Sequence, residues 1–293
     1  MPLYIRVAMV DIRQTQEYAN YLKCEGWEVA RIENINYFIK KLPLIESVLK
    51  IQRPEEINHK TINKLCRKHR IFQIILEPTS TSTNSAIGHN LIISHGYKLS
   101  KSPYLPSKTL QIDLTQPISK ITANFKKDAR YALKRGGAMT TKICTTPSNL
   151  IKFHCAWRKS VKFTRFVPSL ESLINLRKSF YTNHPIILTS YNKSGSIIGG
   201  AIFTRSLHDC AYYWQGFTNN EGRTSLSQYS LVYEGILWAK KAGCKVFDFE
   251  GIYDPRFPNK SWLGFTHFKK SFGGKEVLYP GCYTKFRFPY SDR

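Results

Sequence analysis

The sequence predicts a mixed α/β fold built from two similar units in tandem. Strand-like apolar runs alternate with helical segments along the whole chain, which is the pattern of sheets covered by helices. The 293 residues are 42% hydrophobic and 13% aromatic, enough for one large or two medium domains. We predict a first unit over 1–146, a second over 147–278, and a C-terminal strand within 279–293 that returns to the first unit.

The elements of the first unit follow from periodicity. We predict a helix over 14–25, strands over 27–32 and 48–52, a basic helix over 56–69, a strand over 72–76, a Ser/Thr-rich turn over 79–83, a helix over 86–95, a strand over 110–114 and a basic amphipathic helix over 119–135. Gly96 and the Gly136-Gly137 pair are expected to end the last two helices, because glycine readily adopts the left-handed backbone found there.

The second unit repeats this alternation. We predict helices over 147–159 and 169–181, strands over 185–191, 196–205 and 210–216, a helix over 226–241, a strand over 245–249, a short helix over 262–272 and a last strand over 277–286. Asn192 to Gly195 is expected to be a hairpin turn, since Asn and Gly tolerate positive φ, and Gly243 is expected to stop its helix.

The charge of the chain indicates an anionic ligand. Forty-four Lys and Arg residues against 20 Asp and Glu give a formal net charge of +24. Such a field attracts polyanions: a nucleic acid, a pyrophosphate-linked sugar nucleotide or an anionic lipid headgroup. A proteome rich in lysine would produce the same charge without any such ligand.

Other features narrow the class of protein. The seven cysteines are scattered without a CxxC pair or nearby histidines, so we expect reduced core residues and neither disulfides nor a zinc site. The apolar runs are too short to span a bilayer and the start of the chain has no signal-peptide pattern, so we expect a cytoplasmic protein. Phosphate-loop, nucleophile-elbow, HExxH and dinucleotide motifs are absent from the sequence.

The candidate catalytic residues lie in the second unit. Asp248 and Glu250 stand at the end of an apolar strand, where mixed sheets gather ligand-binding groups, although such residues also serve as scaffold. Lys269 follows Phe268 on a short helix that ends in glycines, so its ammonium could reach a cavity in which negative charge develops.

Further residues are candidates for substrate binding. Tyr213 and Gln215 alternate on one strand and share a face, although aromatic runs mostly pack in cores. Three residues on the basic helix and one beyond it are candidate phosphate contacts from charge and placement alone, and a solvated surface is the commoner role for such residues. They are Lys127, Arg130, Lys134 and Arg165.

Taken together these segments resemble the FemABX peptidyltransferase family. The C-terminal signature is carried by Asp248-Phe249-Glu250-Gly251-Ile252, Gly264-Phe265, Phe268-Lys269, Phe272-Gly273-Gly274 and Tyr279-Pro280-Gly281. Upstream, the strand at 109–114 with Asn124, Lys127, Arg130-Tyr131 and Lys134-Arg135 resembles the strand and basic helix that end the family's first lobe, and 26–29 and 72–78 are also similar. The likeness therefore covers most of the chain in order.

The resemblance implies two lobes of the acetyltransferase-like (GNAT) fold with a cell-wall precursor in a cleft. It implies transfer of an amino acid from aminoacyl-tRNA to the stem pentapeptide of UDP-MurNAc-pentapeptide or lipid II, without metal or organic cofactor. Phe268 and Lys269 match the Phe-Lys pair that the family places at the reacting ester. Asp248 or Glu250 could accept the proton of the amine. We also expect a monomer and allow a peripheral contact with the inner surface of the membrane.

The sequence departs from relatives in two places. No run of heptads provides the coiled-coil arm that some members insert, which favours the shorter subtype. Gly222-Arg223-Thr224-Ser225 stands where ordinary acetyltransferases have a glycine-spaced coenzyme A loop, which disfavours coenzyme A. Two alternatives remain: a two-lobed N-acyltransferase that uses acyl-CoA, and a non-catalytic basic protein that binds nucleic acid.

Overall fold

The computed structural model describes residues 10–43, 46–79, 86–135, 139–161, 165–207 and 209–287. Contacts within the chain divide it into two compact units. We call the first unit Asp11–Thr109 with Tyr253–Lys260 and Val277–Arg293, and the second unit Met1–Val10 with Leu110–Ile252 and Ser261–Glu276. The division falls at residue 110, whereas the boundary predicted from sequence was at 146, because the strand and basic helices within residues 110–135 contribute to the core of the second unit.

The first unit contains a mixed sheet. Its described strands are β1 Glu28–Ile32, β2 Ile35–Lys41, β3 Ser47–Gln52, β4 Ile71–Glu77, β5 Lys98–Leu99 and β13 Tyr283–Phe286, in the order β1-β2-β3-β4-β13-β5. Only β3 and β4 pair in parallel among these described strands. The helices are α1 Gln16–Cys24, α2 His59–His69 and α3 Ala86–Ser94, preceded by a 3-10 turn at Ile12–Gln14.

The core of the first unit explains this layout. Residues of β2, β3 and β4 such as Tyr37, Leu49 and Leu76 are buried, and Ile62 and Leu65 of α2 pack into the same cluster. Burial of these apolar side chains is the main stabilising contribution.

A larger mixed sheet belongs to the second unit, except for residues 108–109 and 277–278, which are assigned to the first unit. Its described strands are β6 Lys108–Asp113, β7 Thr140–Ile143, β8 Ile186–Tyr191, β9 Ile197–Ser206, β10 Cys210–Thr218, β11 Val246–Asp248 and β12 Lys275–Leu278, in the order β12-β6-β11-β10-β9-β8-β7. The helices are α4 Ile118–Ala123, α5 Lys127–Arg135, α6 Pro147–Ser160, α7 Leu170–Ser179, α8 Asn220–Thr224, α9 Ser227–Lys241 and α10 Leu263–Lys270, with a 3-10 turn at Lys260–Trp262.

Helices cover both faces of this sheet. On one face α9 packs through Gly235 against Phe203, where a Cβ atom would lie 2.4 Å from the ring. On the other face Phe153 of α6 lies over Gly200, again with no room for a Cβ atom. Both faces of β9 are therefore buried, which accounts for its nearly continuous apolar sequence.

The predicted basic helix over 119–135 is wrong as a single element. It consists of α4 and α5, separated at Asn124. The chain turns there because Phe125 is buried edge-on against Phe272, with ring centroids 5.2 Å apart, and because Lys126 N donates to Ser271 O at 2.7 Å.

The predicted last strand over 277–286 is also wrong as a single element. It divides into β12 and β13, which belong to different sheets. The break contains Pro280, which has no N–H to donate, and Gly281, whose φ of 111° is open only to glycine. Strands β2, β5 and β7 and helix α8 were missed, because each is short or lacks clear periodicity.

Other local predictions are confirmed. Asn192 N donates to Ser196 O at 3.0 Å with Gly195 at φ 78°, as a hairpin requires, and Gly243 follows α9 with φ 80°. The predicted turn over 79–83, beyond Thr79, and the Gly136-Gly137 stop lie outside the described residues. Within the described ranges the longest helix has 15 residues. None of the helices there combines the length and apolar character needed to cross a membrane.

Candidate active site

The site begins where β11 ends in the middle of the large sheet. β11 pairs in parallel with β10 and antiparallel with β6, and Phe249 N still donates to Leu110 O at 2.9 Å beyond the strand. Glu250 then adopts φ 69°, which is rare for a residue with a side chain. This conformation turns the chain sharply, so the carbonyl groups on either side of Glu250 leave the sheet.

Asp248 stabilises this turn through hydrogen bonds to its buried carboxylate. Its carboxylate accepts hydrogen bonds from Glu250 N at 2.6 Å and from Gln111 Nε2 at 2.8 Å. Asp248 is only 3% exposed. A buried carboxylate with two donors acts as a structural anchor, because removing it would strand both donors. The position of Asp248 therefore suits support of the turn better than contact with a substrate.

Lys269 of α10 reaches into the same turn. Its ammonium donates to the carbonyl oxygens of Phe249 at 2.7 Å and Gly251 at 2.6 Å, and the residue is 9% exposed. Burial lowers the pKa of Lys269 to about 8, although the carboxylates of Glu250 and Asp248 act in the opposite direction. An ammonium has three donors, so these two bonds leave one for a ligand.

Aromatic rings enclose the ammonium. The Lys269 nitrogen lies 5.0 Å from the ring centroid of Phe265 and 5.6 Å from that of Tyr213. Phe268 packs edge-on against Tyr229, with centroids 4.8 Å apart. The faces of such rings stabilise a cation from which water is excluded, which helps to retain the charge of Lys269 despite its burial.

Tyr213 is positioned by an irregularity in β10. The register between β9 and β10 shifts between Tyr213 and Gln215, as in a β-bulge. The Tyr213 hydroxyl accepts a hydrogen bond from Gln228 Nε2 at 2.6 Å, and burial raises its pKa. It is thus protonated at neutral pH. Gly216 is required beside it, since a Cβ atom there would lie 2.4 Å from the Tyr213 oxygen.

Lys269, Tyr213, Glu250 and the rings of Phe265 and Phe268 border one pocket of about 810 Å³. The residues that line this pocket all belong to the second unit. Its lining residues are Ser160, Val161, Arg165, Tyr213, Trp214, Gln215, Gly216, Phe217, Thr218, Gly222, Arg223, Leu226, Gln228, Tyr229, Glu250, Phe265, Phe268 and Lys269. Six of the ten candidates from the sequence are among them: Lys269, Phe268, Glu250, Tyr213, Gln215 and Arg165.

The other four candidates lie elsewhere. Asp248 is buried under the turn and does not line the pocket. Lys127, Arg130 and Lys134 are exposed on α5 and also lie outside the pocket lining. Helix α5 is nevertheless close to α10, because His267 Nε2 and Asp128 Oδ2 are 2.9 Å apart.

Several lining residues were not among the candidates. Gln228 and Tyr229 come from the first turn of α9, and Arg223 from α8. Arg223 lies in Gly222-Arg223-Thr224-Ser225, and the departure of this segment from the glycine-spaced pattern expected of acetyltransferases was the available sequence signal. Gln228 and Tyr229 look like ordinary helix residues in the sequence, and only the packing of α9 beside β10 brings them to the pocket.

The arrangement can support chemistry at a polar bond. It offers a buried ammonium, a half-buried carboxylate at Glu250 and a protonated phenol at Tyr213 in a wall that contains six aromatic side chains. Such groups can stabilise an oxyanion and accept a proton. In the described part of the chain, no group of three or more His, Cys, Asp or Glu side chains is arranged to hold a metal ion.

The fold is that of FemX, whose crystal structure matches with a TM-score of 0.78 and 12% identity, covering 94% of this chain and 92% of that one. The C-terminal domain of a putative lysylphosphatidylglycerol synthetase from Agrobacterium fabrum matches with a TM-score of 0.60 and 13% identity, covering 93% and 88%. A tandem GNAT protein from the clavulanic acid biosynthesis pathway matches with a TM-score of 0.52 and 11% identity, covering 87% of this chain and 79% of that one.

These similarities confirm the predicted fold class: a FemABX-like arrangement of tandem GNAT-like lobes with mixed sheets. At such low identity the likeness concerns the fold alone. No family model matches the sequence, and no curated protein matches it at a significant level.

Proposed function

We propose that this protein is a tRNA-dependent aminoacyltransferase that adds an amino acid to the stem pentapeptide of a peptidoglycan precursor. The observation that carries the proposal is the Lys269 ammonium, buried in the wall of the large pocket and held by the carbonyl groups of Phe249 and Gly251. The FemX fold and the resemblance of the Phe268-Lys269 segment support it. The acceptor is UDP-MurNAc-pentapeptide or its lipid-linked form, lipid II, and the reaction takes place in the cytoplasm.

In the proposed reaction the acceptor amine attacks the ester carbonyl carbon of the aminoacyl-tRNA. A C–N bond forms while the C–O bond to the ribose breaks, and the negative charge passes from the carbonyl oxygen to the ribose oxygen. The remaining donor of Lys269 stabilises this charge. Losing such a preorganised donor typically costs about 3 kcal/mol of transition-state stabilisation.

The protons require an acceptor and a donor. The amine loses a proton when the amide forms, and the ribose oxygen gains one. Glu250 is the better acceptor of the two carboxylates, because it lines the pocket while both oxygens of Asp248 accept other hydrogen bonds. Lys269 is a suitable donor to the ribose oxygen, since a pKa of about 8 makes its proton easier to transfer than that of an ordinary lysine.

The neighbour that is a putative lysylphosphatidylglycerol synthetase also supports aminoacyl transfer, since the name describes a lipid joined to lysine. The net charge of +24 fits both substrates, because tRNA and a pyrophosphate-linked precursor are polyanions.

The second candidate is an N-acyltransferase that uses acyl-CoA. The tandem GNAT neighbour favours it. The sequence before α9 argues against it, because Gly222-Arg223-Thr224-Ser225 lacks the spaced glycines of a coenzyme A loop. Calorimetry with coenzyme A tests it directly. A non-catalytic nucleic-acid-binding protein is less well supported, since phosphate-binding lysines are exposed whereas Lys269 is buried.

The proposal is tested by transfer of labelled amino acids from a total aminoacyl-tRNA pool to UDP-MurNAc-pentapeptide and to lipid II. Wild type is compared with Lys269→Ala and with Lys270→Ala, whose side chain forms a surface ion pair with Glu276 at 2.5 Å. We expect the Lys269 variant to lose roughly 100-fold or more in rate and the Lys270 variant to remain near wild type. No transfer to either acceptor by folded wild type would overturn the proposal.

A further inference from the structure

A second concave site lies at the β7 edge of the large sheet. Its volume is about 580 Å³, and its walls come from β7, the β8–β9 hairpin and the first half of α6. Lys142, Lys152 and Lys193 line it, together with Tyr191 and the amides of Asn149 and Asn192. Among the described residues that line it there is no acidic side chain.

The three lysines are available to a ligand. All are exposed, and none has an ion-pair partner within 4.0 Å among the described residues. The Lys142 nitrogen lies 5.6 Å from the ring centroid of Tyr191, which fixes it over one wall. Three exposed ammonium groups without an acidic side chain among their lining neighbours give the depression a positive potential, which attracts a polyanion.

Direct contacts and one shared helix link the walls of the second site to those of the large pocket. Asn192 Nδ2 donates to Glu221 Oε1 at 2.8 Å, and the two residues after Glu221 line the large pocket. Helix α6 also connects the two, with Lys152 at the second site and Ser160 at the large pocket. Eight residues of helix span about 12 Å. This distance matches about three or four phosphates of a stacked strand at ~3.4 Å each.

We propose that Lys142, Lys152 and Lys193 bind the phosphodiester backbone of an RNA whose aminoacylated 3′ end lies in the large pocket. This inference rests on the proposed function, because it assumes an RNA-linked donor. An RNA strand bound at both sites places its aminoacylated end in the large pocket and its backbone phosphates beside the three lysines.

The shape of the site favours RNA over a membrane. Its lysines line a depression between a helix and a hairpin, whereas a bilayer surface is flat and would be met by protruding groups. Asn149 can contact phosphate and ribose oxygens, and the partly buried Tyr191 can contact them or stack on a base, as in RNA recognition.

Binding of bulk deacylated tRNA, followed by fluorescence anisotropy over a range of NaCl concentrations, tests the proposal. The variant carries Lys142→Gln, Lys152→Gln and Lys193→Gln. The control removes the same charge from exposed lysines of the first unit, as Lys23→Gln, Lys64→Gln and Lys68→Gln. We expect the site variant to bind roughly 10-fold or more weakly and its log–log salt slope to fall by about 2 to 3. The control variant should show a much smaller change in tRNA affinity and in salt slope.

Transfer assays separate this proposal from the proposed function. With aminoacyl-tRNA we expect the site variant to raise KM and leave kcat unchanged. With an aminoacylated trinucleotide, too short to reach the second site, the variant should equal wild type.

If wild type transfers from tRNA but the site variant and the control behave alike, this inference is wrong and the proposed function stands. If wild type neither binds nor transfers from tRNA, both fail. Loss of binding to anionic vesicles without loss of binding to tRNA would assign the lysines to a membrane instead and overturn the inference.

Discussion

The ammonium nitrogen of Lys269 lies 2.6 Å from the carbonyl oxygen of Gly251, a residue 18 positions earlier in the chain. This hydrogen bond joins α10 to the turn after β11, and it explains how a short helix at the surface carries a buried charge. Because the folded protein holds Lys269 with a pKa of about 8, its protonation can be followed in both activity and stability.

The first prediction concerns the pH dependence of transfer. If protonated Lys269 stabilises the leaving oxygen, the rate should rise as the acceptor amine loses its proton and then fall above about pH 8. Transfer rates of wild type and Lys269→Met from about pH 6 to 10, corrected for spontaneous ester hydrolysis, provide the measurement. The residual activity of the variant should lack the descending limb. The same descending limb in the variant would show that another group is responsible.

The second prediction concerns stability. The pKa of Lys269 is about 8 in the folded protein and near 10.5 when unfolded, so between these values the unfolded chain binds the extra proton. The free energy of unfolding should therefore rise with pH over this interval, relative to Lys269→Met, by ~3 kcal/mol. Urea denaturation of both proteins at several pH values measures it. A difference that does not change with pH would mean that Lys269 has an ordinary pKa when folded.

The third prediction concerns Asp248, which holds the turn that carries Glu250. Asp248→Ala removes the acceptor of the bonds from Gln111 and Glu250 N, so we expect a loss of ~2–3 kcal/mol in unfolding free energy and a lower transfer rate. Asp248→Asn keeps one acceptor oxygen, so its losses of unfolding free energy and transfer rate should be smaller.

The matched control is Asp113→Ala in the neighbouring strand. Asp113 is exposed and bonds to Thr115 within its own turn. Denaturant unfolding should show a loss of about 1 kcal/mol or less for this variant. Equal losses for the two alanine variants would contradict the anchoring role of Asp248.

The fourth prediction compares two glycines of the site region. A Cβ atom at Gly222 would lie 2.1 Å from Ile198 O, so Gly222→Ala must displace α8 and should cost at least ~2 kcal/mol while weakening substrate binding. Gly264 in α10 has nothing within 4 Å of such an atom, and Gly264→Ala should stabilise the protein by ~0.5–1 kcal/mol. Thermal unfolding measures both. Destabilisation by Gly264→Ala would contradict the open space around Gly264.

The sequence alone determined the fold class and most elements of regular structure. The alternation of apolar runs with helical periods is a local property, as are the glycines after helices and the Asn192 to Gly195 hairpin, so these could be predicted one segment at a time. Phe268, Lys269 and Glu250 were also candidates from sequence, because a lysine on a short helix and a carboxylate at a strand end stand out locally, and all three line the large pocket.

Only the tertiary structure decided how these residues are used. Asp248 and Glu250 are two positions apart and both carry a carboxylate. The left-handed backbone at Glu250 leaves Asp248 buried and Glu250 in the pocket lining. The division of 119–135 into α4 and α5 follows from the burial of Phe125 against Phe272, a contact between distant segments. The burial of a side chain, the shift of its pKa and its contacts with residues distant in sequence all depend on tertiary packing. A local sequence pattern contains no information about that packing.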